Sequence, residues 1–358
     1  MSVAGDVLFN LLFNSLAAFW VALGASLLLF RAFRLDRSAL GLGVLLLPFV
    51  KLVLEVARGV PPSSFLWLSE RGVRQTLGEF RFGFGATREG PSLVAALWAE
   101  HAGGRAPESA ADLATRLLRH KLGVHAAPAL ACVVLAVALG GLTRWAVRRR
   151  RASSAVRLLA ERAAPLATRR LGRRTVRVLE SAEHRGAPFA AGLRAPFVLL
   201  PSGLRERLSP LELEAVLAHE LAHVARFDLV VLLVLGAFER LFWYVPGVGR
   251  AERRVAAFLE RRADDAALAA GVTPGTLARA LVVTAEFAYD AAASPEPAAT
   301  GARSELGRRV RRLLEPGNAA PAVAASPRAR ALAGLRAVAV VWCALGILAA
   351  VAFGNHGG

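Results

Sequence analysis

Residues 217–228 read LAHELAHVARFD, with two histidines four apart, His219 and His223, and Glu220 directly after the first. On a helix, positions i and i+4 share a face, so both imidazoles can turn toward one ion. Glu220 then lies about 100° around the axis, within reach of a water on that ion. A zinc peptidase needs this arrangement: two nitrogen ligands, and a carboxylate base for a water whose pKa the metal lowers towards about 7. The plain alternative is a surface helix that happens to carry His, Glu and His. Histidine is scarce here, seven in 358 residues, and the helix has clear start signals upstream. Ser209 suits the N-cap, Pro210 the first helical position, and Glu212 completes an S-x-x-E capping box.

Catalytic zinc takes a third protein ligand and keeps one position open. His184 sits in a loop-like EHRGAP and reads as solvated or as a supporting residue. The downstream carboxylates are Asp228, Glu239, Glu252, Glu260, Asp264 and Asp265. Glu260 and Asp264 stand one helical turn apart in FLERRADDAAL, so Glu260 could bind the metal while Asp264 holds the free nitrogen of a ligating histidine. Glu239 neighbours Arg240 inside an apolar run and could simply pair with it. Glu260 is the favoured ligand, with the others left open.

The elements that must carry these residues are unlike those of a soluble enzyme. Hydrophobic residues make up 55% of the chain and the mean hydropathy is +0.45. Val7–Phe30 runs 24 residues without a charge, enough to cross a hydrocarbon core of about 30 Å. Ala39–Ala57, Val124–Thr143 and Ala337–Phe353 are further candidate spans, Lys51 and Glu55 being spaced to pair in the second. The expected organisation is therefore two transmembrane helices within 1–57, a loop at 58–123, a third helix at 124–147, a soluble-looking part at 148–330 and a fourth helix at 331–358. The loop carries amphipathic stretches such as Pro91–Gly103, suited to lying on a membrane face. The first span lacks a basic leader and a small-residue cleavage site and reads as retained.

The formal charge of +18 comes almost wholly from arginine, since Lys51 and Lys121 are the only lysines. The densest basic run, Thr143–Arg151, abuts a span, where positive-inside anchoring and anionic lipid call for it. With no aromatic-interleaved basic motif, direct nucleic-acid binding is not expected. The same rule puts the N-terminus outside and residues 148–330 in the cytoplasm. Cys132 and Cys343 both fall in spans without C-x-x-C spacing, which excludes a disulfide scaffold and a thiolate metal site.

Within the soluble part, Thr175–Ser181 and Pro196–Pro201 read as short strands, Pro188–Ala195 as a strand and turn, and Ser304–Pro316 as a basic amphipathic helix. Pro316–Pro327 reads as a linker. Leu229–Val245 is close to spanning length. If it crossed a membrane, Glu260 and the histidines would lie on opposite faces, so with Glu260 as ligand it must be buried or re-entrant and return near Val245–Gly249.

With these residues in view, the sequence resembles the membrane metallopeptidases of the BlaR/MecR antibiotic-resistance sensors. The likeness rests on Pro196–Asp228, on FWYVP at Phe242–Pro246 and on ERRADDAAL at Glu260–Leu268. It implies a mostly α membrane protein of four transmembrane helices, with a cytoplasmic α+β, gluzincin-like zinc metallopeptidase domain between the third and fourth. By the resemblance His219, His223 and Glu260 hold Zn2+, Glu220 is the general base, and a sheet edge holds a peptide by strand addition. A multi-pass protein of the cytoplasmic membrane follows, its partners the lipid bilayer and a protein substrate such as a transcriptional repressor. The sensors carry a penicillin-binding domain after the last span, whereas this sequence ends at Gly358, so covalent β-lactam binding of their kind is not expected. An HtpX-like quality-control protease and a non-catalytic membrane scaffold are the other readings. Retention of Glu220 speaks against the scaffold.

Overall fold

A computed structural model describes residues 19–58, 127–291, 299–315 and 336–346. The loop expected at 58–123, the Glu55 side chain, the linker at Pro316–Pro327 and the outer parts of the first, third and fourth expected spans lie outside the described residues. Helix α1 (Phe19–Ala32) and α2 (Ala39–Arg58) flank a short 3-10 turn, and α3 covers Ala127–Arg162. Four strands follow: β1 (Ala164–Leu171), β2 (Arg174–Ser181), β3 (Phe189–Ala191) and β4 (Phe197–Pro201). Then come α4 (Leu204–Arg207), α5 (Pro210–Ala225), α6 (Asp228–Leu241), α7 (Val248–Ala269), α8 (Pro274–Asp290), α9 (Ala299–Leu314) and α10 (Arg336–Gly346).

The sheet order is β1-β2-β4-β3, with β2 and β4 parallel and the other two pairs antiparallel. All five residues of β4 are buried, because both of its faces are covered, as parallel pairing requires. Val198 and Leu200 join Val176 and Val178 of β2 in a core with Val216 and Leu217 of α5 and Leu277 of α8. Phe197 and Leu199 face the other way, onto Leu179 and Ala160 at the end of α3. The sheet edges are thus β1 and β3, and β3 lies beside α5.

A second core joins α1 and α2 to the return helices. Phe19, Leu45, Phe49 and Leu52 meet Leu235 of α6 and Val255, Phe258 and Leu259 of α7. Gly41 permits a close approach, since a Cβ there would lie 2.8 Å from Phe258 Cζ and would clash with the Leu35 carbonyl oxygen. Thus α7 is held from two sides, by α5 and by α2.

The structure adds to the sequence reading in two elements. Helix α3 has 36 residues and runs straight through Arg148–Arg151, beyond the segment expected as the third span. No proline or glycine follows Gly141 within it, and the four arginines simply face outward. Strand β1 was not anticipated, its ATRR sequence carrying no apolar alternation. Among the described residues no single helix is long and apolar enough to cross a membrane. The apolar helices Phe19–Ala32, Leu40–Leu54 and Arg336–Gly346 are shorter, and α5 and α6 pass such a test only as a pair bent by 61°.

The start of α5 follows the sequence signals. The Glu212 N–H donates to Ser209 Oγ at 3.3 Å and the Ser209 N–H donates to Glu212 Oε2 at 2.8 Å, with Pro210 at the first helical position. Arg279 of α8 reaches Glu212 Oε1 at 2.7 Å. The Ser209 backbone N–H, then its hydroxyl and Arg279, outweigh burial and hold the Glu212 carboxyl below the usual 4.5. Ser209→Ala should destabilise the protein by about 1 kcal/mol in chemical denaturation. Because the folded-state pKa is depressed, the charge-dependent part of this box is present above about 4.5 and is lost as pH falls below it. The stability gap between wild type and Glu212→Gln should therefore narrow on acidification from pH about 6 to about 3.

Candidate metal centre

On the capped helix α5 the His219 and His223 rings stand 4.9 Å apart at 84°, with their Nε2 atoms 3.2 Å from each other. Helix α7 brings Glu260 to the same point, Oε2 lying 3.4 Å from His219 Nε2 and Oε1 3.6 Å from His223 Nε2. Ligands about 2.0–2.1 Å from a tetrahedral zinc are about 3.3–3.4 Å apart. The separation of the two nitrogens is close to that edge, and each carboxylate oxygen lies at a similar distance from one imidazole, so two imidazoles and a carboxylate form a donor set suited to a divalent ion. Among the described residues these three are the one group whose ligand atoms all lie within 4.8 Å of one another.

The far side of each imidazole is held by a carboxylate. Asp264, fully buried and one turn beyond Glu260, places Oδ1 3.0 Å from His219 Nδ1, an ion-pair contact that falls short of hydrogen-bond alignment. Asp228 Oδ2 stands 2.8 Å from His223 Nδ1. Both contacts keep Nδ1 as the protonated nitrogen and leave the Nε2 lone pairs for the ion. Asp228 is delivered by a tight turn between α5 and α6 in which Phe227 adopts φ 57°, a left-handed conformation uncommon for an aromatic residue. Arg226 locks that turn, donating to the Arg262 carbonyl at 2.9 Å and reaching Asp228 Oδ2 at 3.4 Å.

Glu220 is half-buried between α5 and β3. Burial raises its carboxyl pKa, against the pull of both histidines and a hydrogen bond from the Ala190 N–H on edge strand β3. A raised carboxyl pKa strengthens it as a base near neutral pH. At Glu260 burial acts in the same direction but is overcome by His219 and Arg309, which bring the carboxyl down to about 2. Burial would lower His219, yet Asp264 and Glu260 raise it to about 9. These carboxylates favour the protonated imidazole, and an ion held here would have to displace that proton.

The remaining sequence candidates lie elsewhere. His184 turns to its own loop, its Nε2 2.8 Å from the Ala187 carbonyl oxygen. Glu239 pairs with Arg240, and Glu252 is raised by burial and by Glu239 beside it. Asp265 is gripped by Arg312 at 2.6 and 2.8 Å. Sequence reasoning missed two partners. Asp228 was noted only as a carboxylate, although its position five residues after His223 was visible. Arg309, 90 residues beyond His219, donates through Nε and Nη2 to Asp264 at 3.0 and 2.7 Å and contacts Glu260 Oε2 through Nη1 at 2.8 Å. It had no local signal among 45 basic residues.

Short segments of this chain are similar to known proteins. Protease HtpX homolog 2 of Methanosarcina mazei is 46% identical over 48 residues, covering 13% of this chain and 16% of that protein. Protease HtpX homolog 2 of Methanosarcina acetivorans is 42% identical over 60 residues, covering 16% and 20%. Neither match spans more than a fifth of the relative's length. A much longer match is to the BlaR1 peptidase M56 family, over residues 118–313, from ahead of α3 to the last turn of α9. Since it takes in more than half of the 358 residues, the chain belongs to the BlaR1 peptidase M56 family.

Proposed function

We propose that this peptidase is a membrane-anchored zinc endopeptidase of the BlaR/MecR type, signalling by cleavage of a cytoplasmic protein such as a transcriptional repressor. The observation that carries the zinc reading is the pair of Nε2 atoms 3.2 Å apart with Glu260 across from them. Two such lone pairs held face to face repel each other unless a cation or a proton lies between them. In this reading His219, His223 and Glu260 hold the ion, while Asp264 and Asp228 fix the imidazoles. Zinc, when bound, polarises the scissile carbonyl and acidifies the attacking water. Glu220 accepts the proton from that water and returns it to the leaving amine. Its position against the Ala190 N–H puts the proton transfer beside the β3 edge, where an extended peptide can add as a further strand.

Membrane anchoring is supported by the four apolar segments and by the arginines at their ends. It places the N-terminus outside and the peptidase domain in the cytoplasm. The packing of α1 and α2 directly on α6 and α7 supports an active site close to the membrane in this reading. A second reading, an HtpX-like protease of damaged membrane proteins, is favoured by the names of the two curated relatives. Cleavage of a folded repressor supports the first reading, and cleavage of unfolded membrane protein alone supports the second.

Metal analysis of detergent-purified protein tests the site. Wild type should hold about one zinc per chain, and His219→Ala and Glu260→Ala should hold none. Zinc missing from wild type after supplementation sinks the proposal. Glu220→Gln should keep the ion and lose peptide hydrolysis by about 10²–10⁴-fold. Asp228→Ala should weaken zinc affinity by about 10–100-fold in competition with a chromogenic chelator. An unchanged affinity there would mean that Asp228 supports only the turn.

A further inference from the structure

Arg309 brings a cation into the site from α9. Its side chain is 12% exposed, and every contact it makes there is to the metal set. Nε and Nη2 form a fork on Asp264 at 3.0 and 2.7 Å, Nη1 holds Glu260 Oε2 at 2.8 Å, and Nη2 lies 3.4 Å from His219 Nε2. Next to it, Arg312 anchors the helix to α7 through both oxygens of Asp265. A buried ion pair of this kind is a poor device for stability alone, because desolvation offsets the attraction. It is an effective device for orientation, since the planar guanidinium serves two carboxylates in fixed directions.

The consequence falls on Glu260. Its two oxygens are not equivalent: Oε2, 3.4 Å from His219 Nε2, is also held by Arg309, while Oε1 lies 3.6 Å from His223 Nε2. If both oxygens joined the ion, the coordination number would rise and the position needed by the attacking water would fill. We propose that Arg309 is a positioning residue that restricts Glu260 to one-oxygen coordination and thereby keeps a position on the ion open. The inference rests on the zinc-peptidase reading above. Lysine cannot replace arginine here, because one ammonium cannot hold both carboxylates in the fork.

Cobalt(II) replacing the native ion in the full-length, detergent-solubilised chain tests this, because four-coordinate cobalt absorbs visible light strongly and higher-coordinate cobalt weakly. Wild type should take about one cobalt and show strong bands. Arg309→Ala should take as much cobalt with bands several-fold weaker, as the freed Oε2 joins the ion. Arg309→Lys should restore the bands only in part, and kcat for peptide hydrolysis should fall about 10–100-fold in Arg309→Ala with KM little changed. A folded Arg309→Ala with the wild-type spectrum overturns the inference. So does one that no longer takes the ion, since a freed Glu260 should still bind it. If Arg309→Ala does not fold, as judged by circular dichroism, the Arg309→Lys spectrum decides by the same criterion, a wild-type spectrum overturning the inference. A wild type that takes up neither zinc nor cobalt overturns the peptidase reading itself, and is thereby told apart from failure of this inference alone.

Discussion

Two imidazole nitrogens held 3.2 Å apart, edge to edge inside the protein, set the constraint that the rest of the structure serves. Left to themselves the rings would turn away from each other toward water. Here Asp264 and Asp228 hold them from behind, so the repulsion between lone pairs can be relieved only at the point where they converge. Most features of the domain maintain this arrangement. The capping box fixes where α5 begins, the left-handed Phe227 returns the chain at Asp228, and the packing of α7 against both α5 and α2 places Glu260 and Asp264 at the right height.

Charge follows the same logic. Around the point of convergence stand four carboxylates, Glu220, Asp228, Glu260 and Asp264, and two guanidiniums, Arg226 and Arg309. With the imidazoles neutral and the carboxylates ionised, the cluster carries two negative charges, the complement of a divalent ion. In a poorly solvated site an uncompensated charge of that size is costly. Protonation of His219, favoured up to about pH 9, offsets part of it when the ion is missing. A proton and a divalent ion would offset the same negative charge, so ligand protonation and metal uptake would be linked.

The sequence was most legible where the chemistry is local. The start of α5, the shared face of His219 and His223, and the one-turn spacing of Glu260 and Asp264 all follow from helix geometry, and each is found where helix geometry puts it. What escaped notice depends on tertiary return. Asp228 reaches His223 only because Phe227 takes a left-handed conformation, and a phenylalanine gives no warning of that as a glycine would. Arg309 is one of many arginines, and its surroundings mark an amphipathic helix without saying which side chain enters a site. Strand β1 pairs with β2 through seven residues of backbone register although its own side chains are largely exposed, so the partner strand specifies it more than its pattern does.

The apolar stretch from Leu229 to Val245 shows how function constrains topology. Its composition suits a membrane crossing, and a straight crossing would carry α7 away from α5. The chain instead bends by 61° between α5 and α6 and turns again at Pro246-Gly247, where Gly247 at φ 95° opens α7 with Trp20 of α1 packed close against it. A Cβ there would be 3.1 Å from the Trp20 ring as well as strained by the backbone. The hydrophobic face of α6 is buried against α1 and α2 through Leu235 and Phe238, and the chain that leaves this 14-residue helix packs α7 back against α5. The requirement that Glu260 meet two histidines 37 and 41 residues earlier in the chain therefore accounts for the shape of everything between them.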